Sequence, residues 1–231
     1  MLKIQDVSCS YGSVPALQKV SMTMTDNQIT CIMGRNGVGK TTLMKAIMGL
    51  LNLRSGSVMM NDQELSHLPA YKRARRGLGL VPQGRQIFAK LTVYENLRVG
   101  LEARDDGIKK IPDLVYELFP VLKTMAARMG GDLSGGQQQQ LAIARALVGQ
   151  PSVLLLDEPT EGIQPNIIQQ IGEVLRRLVA EMGMTVVLVE QCLSFVREFG
   201  QAFYIMNRGQ IAAEGTTDQL DGQIVGQYLS V

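Results

Sequence analysis

The chain has 231 residues, room for one large domain with a buried core, and its formal net charge of +2 is too mild to announce a nucleic-acid partner. Hydrophobic residues make up 45% and aromatics 5%, the balance of an aliphatic-rich α/β protein. No run of about 18 apolar residues occurs, which excludes a membrane-spanning helix; Cys9, Cys31 and Cys192 lie far apart and read as small apolar residues of a reducing compartment, not as a metal site.

In chain order, residues 2–8 and 20–25 alternate like two strands of an antiparallel edge, with a loop between them marked by Tyr11-Gly12 and Pro15. That alternating start has no long apolar core and does not read as a signal peptide. Tyr11 in the loop is either a surface cap on the sheet or a flat face for a purine to stack on. Residues 29–33 form an apolar strand and residues 41–50 a helix. Between them stands Gly34-Arg35-Asn36-Gly37-Val38-Gly39-Lys40-Thr41-Thr42, which fills the template of glycine, any four residues, glycine, lysine and serine or threonine, in the strand, loop, helix context that the template needs. Gly34, Gly37 and Gly39 let successive N–H groups point inward at a phosphate chain, and the helix start adds partial positive charge. Lys40 is placed to reach the β- and γ-phosphates, and the Thr41 hydroxyl to take a position on Mg²⁺.

Ser55-Gly56-Ser57 turns into a further strand over residues 58–61, and Lys72-Arg73-Ala74-Arg75-Arg76 reads as a solvated helix face. The strand over residues 78–82 stops at Gln83-Gly84. In a doubly wound sheet the carboxyl edge binds ligands, so Gln83 is a candidate near the phosphates. From about residue 85 to 149 the alternation of strand and helix ceases, and Thr92 with Glu95 has the form of a capping box, so this part reads as a helical insertion. Within it, Gly130-Gly131-Asp132 opens into Leu133-Ser134-Gly135-Gly136-Gln137 and a helix. Glycines at a helix start are an anion site in principle; the plainer reading is a cap, the sharper one a site for a partner's nucleotide.

The run over residues 153–156 is apolar on both faces, as in a buried parallel strand, and it ends in Asp157-Glu158-Pro159. Asp157 is placed to hold Mg²⁺ through water, and Glu158 to take a proton from the attacking water as general base. A last buried strand over residues 184–189 ends in Glu190-Gln191. Residues 202–206 and 210–213 then form a closing hairpin around Asn207-Arg208-Gly209.

These motifs, in this order and at these separations, resemble the ATP-binding subunit of an ABC transporter over essentially the whole chain. The resemblance implies a P-loop NTPase (RecA-like) α/β core over residues 1–84 and 150–231 with an antiparallel β edge, and an inserted α-helical sub-domain over residues 85–149. It implies that Tyr11 stacks on adenine, that Gly34, Asn36, Gly37, Gly39, Lys40, Thr41 and Thr42 cradle the phosphates of ATP, and that Thr41, Gln83 and Asp157 serve Mg²⁺. It further implies that Glu158 polarises the water and that Gln83 and Gln191 belong to the catalytic set, Gln191 standing at a position that touches the γ-phosphate. Two subunits pair head to tail in this family, so Ser134, Gly136 and Gln137 would contact ATP held by the opposite subunit. The implied partners are membrane permease subunits, a second ABC ATPase or a second copy of this chain, and indirectly a solute-binding protein, with the chain lying peripherally on the cytoplasmic face of the inner membrane. Two departures stand out: Gln191 where the family usually has histidine, and Gln164 where it commonly has aspartate. Both are similar to the pattern of the shorter ATPase in branched-chain amino acid uptake, and the strings around residues 34–39, 83–88, 137–141 and 158–165 look most like its urea-uptake branch. A nucleic-acid-associated ATPase of the same family would usually carry two cassettes or a long coiled-coil insertion, and a small-molecule kinase has no use for the Ser134–Gln137 string.

Overall fold

The computed structural model describes residues 1–229. Its first hairpin, β1 (Leu2–Tyr11) and β2 (Val14–Met24), is longer than the alternation suggests: the strands run on to a two-residue turn, Gly12-Ser13, and leave no loop between them. Pro15 does not interrupt β2 because β2 is an edge strand, where a missing N–H breaks no ladder. The strand β3 (Ile29–Met33) feeds the phosphate loop and helix α1 (Lys40–Met48). Next come β4 (Ser55–Met60) and the short β5 (Gln63–Glu64), which join the first hairpin in a four-stranded sheet of order β2-β1-β4-β5. All of its pairings are antiparallel.

Helix α2 (Ala70–Arg75) leads into β6 (Leu78–Val81). The basic run in α2 is not wholly solvated. Arg73 is 2% exposed, and its guanidinium donates to the carbonyls of Ala46 and Ile47 in the last turn of α1 and to those of Ser66 and Leu68. Helix carbonyls at a C-terminus lack internal partners, and a cation there also meets the negative end of the helix dipole; that is what turns Arg73 inward. The helices α3 (Val93–Val99), α4 (Asp113–Leu118), α5 (Pro120–Thr124) and α6 (Gly135–Val148) follow. Thr92 and Glu95 form the capping box at the start of α3.

The chain then returns to β7 (Val153–Asp157), α7 (Pro165–Met182), β8 (Thr185–Val189) and α8 (Leu193–Phe199). It closes with the hairpin β9 (Ala202–Asn207) and β10 (Gln210–Thr216), then α9 (Gly222–Tyr228). The second sheet has the order β10-β9-β3-β8-β7-β6, parallel except for β10 at its edge.

Successive side chains of a strand point to opposite faces, and here both faces are apolar. Cys31, Leu154, Leu156, Val186 and Leu188 pack on one side with α6, α7 and α8. Ile32, Val153, Leu155, Val187 and Val189 pack on the other with α1 and the antiparallel sheet. The Tyr204 hydroxyl ties the two sheets, donating to the Thr23 carbonyl and accepting from the Thr23 N–H, each at 3.1 Å. All the parallel strands therefore end on one edge. There β3, β6, β7 and β8 deliver the phosphate loop, Gln83, Asp157-Glu158 and Glu190-Gln191 to the same place.

Candidate functional site

The phosphate loop is locked by its backbone. Gly34 and Gly39 have φ of 142° and 109°, outside the range of other residues, and a Cβ on Gly34 would sit 2.4 Å from the Met206 carbonyl oxygen. The loop encloses the Lys40 side chain, which is 5% exposed and donates from Nζ to the carbonyls of Gly34 at 2.7 Å and Arg35 at 3.0 Å. Glu158 Oε1 lies 3.8 Å from the same nitrogen. Burial lowers the pKa of Lys40, and the charges of Glu158 and Asp157 oppose that shift.

Side chains from two other strand tips meet Glu158 beside this lysine. Glu158 accepts hydrogen bonds from Gln191 Nε2 at 2.6 Å and from Gln83 Nε2 at 3.0 Å. Gln191 Nε2 also donates to Asn36 Oδ1 at 2.9 Å, and Gln83 Nε2 to Glu161 at 3.1 Å. Glu158 has φ of 51°, a left-handed conformation that costs a non-glycine residue about 1–3 kcal/mol and persists where the surroundings over-determine it. The whole group lines a cleft of about 990 Å³ together with Tyr11, Thr41, Thr42 and the turn Arg208-Gly209. Tyr11 is half exposed at its rim, at the end of β1 and not in a loop.

Asp157 is 3% exposed, and its Oδ1 has no hydrogen-bond partner. Burial pushes its carboxyl pKa up, the Thr41 hydroxyl draws it back by hydrogen bonding, and the Glu158 charge raises it further. A buried carboxylate oxygen left open beside a threonine hydroxyl is an oxygen donor pair that suits a hard divalent cation, and Gln83 lines the same cleft as that threonine. A carboxyl whose folded pKa is raised holds its proton to higher pH than in the unfolded chain, so it lowers stability as pH rises through the folded value and has no such effect below the unfolded one. Asp157→Asn is therefore expected to raise the melting temperature of the nucleotide-free protein at pH 8, by about 2–4 °C for each kcal/mol relieved, and to lose that advantage near pH 4. Scanning calorimetry at the two pH values checks it; equal melting temperatures at pH 8 would contradict the cost assigned to this carboxyl.

Ser134, Gly136 and Gln137 are not brought to this cleft. Ser134 caps α6 in a reciprocal box with Gln137, so the cap reading of these residues holds geometrically, and Gly136 packs against Ile167. Gln164 is the N-cap of α7 without a side-chain cap bond. Glu190 received no separate reading from the sequence, yet it is 3% exposed and lines the cleft. An acid at the tip of an apolar strand, the signal that marks Asp157 and Glu158, was available for it as well.

A family model described as "ABC transporter" matches residues 17–161, more than half of the chain. The chain belongs to the ABC transporter family. It is 41% identical to the high-affinity branched-chain amino acid transport ATP-binding protein BraG of Pseudomonas aeruginosa, over 94% of this chain and 93% of that one. It is 36% identical to the probable branched-chain amino acid transport ATP-binding protein LivF of Archaeoglobus fulgidus, over 95% and 94%. The lipopolysaccharide export ATP-binding protein LptB of Haemophilus influenzae is 34% identical over 99% and 97%. Among solved structures, a nucleotide-free ATP-binding cassette from an ABC transporter superposes with a TM-score of 0.87 at 26% identity, covering 100% of this chain and 99% of that one. A dimeric cassette in a post-hydrolysis state, bound to ADP and phosphate, superposes with a TM-score of 0.85 at 27% identity, covering 94% and 99%. This member of the ABC family is an ATP-binding, ATP-hydrolysing subunit. Among its described residues no helix is long and apolar enough to cross a membrane.

Proposed function

We propose that this chain powers an importer of small amino acids or amides, as one half of a head-to-tail ATPase pair seated under a membrane permease at its cytoplasmic face. The observation that carries the paired site is the separation between Ser134, Gly136 and Gln137 and the chain's own phosphate loop. The N-terminus of the 14-residue helix α6 offers backbone N–H groups and dipole charge suited to a γ-phosphate, so a second subunit must bring the nucleotide to it. That second subunit is another ABC ATPase or a copy of this chain. Residues 1–84 and 150–231 would then act as the nucleotide-binding core, and residues 85–149 as the helical part that meets the permease.

In the site, Tyr11 offers its exposed ring to the adenine, and the loop amides with Lys40 neutralise the phosphates. Thr41, Gln83 and Asp157 would hold Mg²⁺, which when bound offsets negative charge on the β- and γ-phosphates. Glu158 takes the proton from the attacking water, and Gln191 fixes the Glu158 carboxylate from the side. Its amide cannot carry a proton or a charge as a histidine could, so no titration is expected from that position.

The names of the 41% and 36% identical relatives favour branched-chain amino acids as the solute class. The strings around residues 34–39, 83–88, 137–141 and 158–165 support urea or a short amide as the second reading. Uptake of labelled leucine and labelled urea by cells with and without the gene tests both. Loss of leucine uptake alone supports the first reading and loss of urea uptake alone the second. Retention of both would overturn the importer assignment for these solutes.

A further inference from the structure

We infer that Glu190 is a positioning residue for ATP hydrolysis, a buried carboxylate that brackets the loop carrying Glu158 to the loop carrying Gln191. The inference rests on the roles proposed above for those two residues. Glu190 follows β8, a strand whose other residues are apolar or the buried Thr185, and at 3% exposure it is a costly place for a charge. A side chain there to fill space would be apolar like its neighbours. Instead each carboxylate oxygen is committed. Oε1 accepts from the Thr160 N–H at 3.3 Å and, more closely, from the Thr160 hydroxyl; Oε2 accepts from the N–H groups of Gln191 at 2.8 Å and Cys192 at 2.9 Å.

These four donors sit on only two segments. Thr160 is two residues beyond Glu158, and Gln191 is the residue whose amide grips Glu158 at 2.6 Å. The two strands behind them are already paired, Asp157 opposite Val189, so the bracket acts where the ladder ends and the loops would otherwise part. It adds to the bond from the Glu158 N–H to the Val189 carbonyl at 3.0 Å in holding the segment that contains the left-handed Glu158 backbone. An acid/base group must be held within a fraction of an ångström of its productive position, and a displacement of about 1 Å costs on the order of 10²-fold in rate.

Glu190→Gln keeps the volume but replaces one acceptor oxygen by a donor, so one arm of the bracket opens. The expected result is a fall in kcat of about 10- to 100-fold with the KM for ATP little changed. Thr160→Val should repeat the fall, and Thr160→Ser, which keeps the hydroxyl, should restore most of it. Because Glu190 and Thr160 act through the same contact, adding Glu190→Gln to Thr160→Val should cost far less than the product of the two single effects. Unchanged kcat in Glu190→Gln, or fully multiplicative effects, overturns the bracket. Glu158→Gln assayed alongside separates the failures: turnover retained in that variant refutes the base itself, whereas turnover lost there and kept in Glu190→Gln refutes only the bracket.

Discussion

Glu158→Gln should bind ATP, hold a closed pair of subunits and turn over about 10²- to 10⁴-fold more slowly than the unaltered protein, because that is what a general base contributes. In barrier terms the loss is about 2.7–5.4 kcal/mol. The substitution is nearly isosteric, and the surroundings say which functions survive it. Gln83 and Gln191 reach position 158 through their amides, and a glutamine oxygen can accept one of those bonds. The carboxylate also lies near Lys40, so removing its charge frees the ammonium for phosphate. ATP affinity should therefore hold or improve while turnover collapses. Steady-state phosphate release with size-exclusion chromatography in ATP reads both. Near-normal kcat would remove Glu158 from the role of base.

Lys40→Ala should fail at the earlier step, binding nucleotide about 30- to 4,000-fold more weakly, the equivalent of about 2–5 kcal/mol for removing one member of a buried charged contact. The unaltered side chain is already threaded through the loop and tied to the carbonyls of Gly34 and Arg35, so little ordering remains to be done when phosphate arrives. Truncation removes the cation and leaves Asp157 and Glu158 as two acids facing the γ-phosphate. Lys40→Arg should not rescue it, since the enclosing loop leaves the side chain 5% exposed and has no width for a planar fork. Titration calorimetry with ATP decides the matter; an unchanged dissociation constant would contradict the placement of Lys40 on the phosphates.

The parts of this site that could be read in advance are those encoded contiguously. The phosphate loop announces itself by glycine spacing between an apolar strand and a helix. Asp157 and Glu158 announce themselves as acids at the tip of a run with no polar residue in it. Gln83, Gln191 and Asn36 belong to three separate loops, and nothing local says that the Gln191 amide will bridge Asn36 and Glu158 or that Gln83 will reach Glu158 as well; resemblance pointed there, and pairing of the parallel strands brings them together. Arg73 was misread for a related reason. A basic run looks solvated until the last turn of α1, 26 residues away, is placed over it. The first hairpin was cut short by its own punctuation, since Gly12 and Pro15 mark a loop by composition but are equally at home in a tight turn and an edge strand.

The turn Arg208-Gly209 has a further consequence. The Gly209 N–H donates to the Val38 carbonyl at 2.9 Å and its carbonyl accepts from Gln18 at 2.8 Å, and β9 pairs directly with β3. The residues that wrap phosphate emerge from the ribosome early, whereas the floor beneath them is made about 170 residues later. At roughly 5–20 residues per second that is a wait of about 10–30 s. A nascent chain thus carries residues 34–42 long before the turn that supports them exists, and a chain broken off before the last hairpin is expected to lack that support.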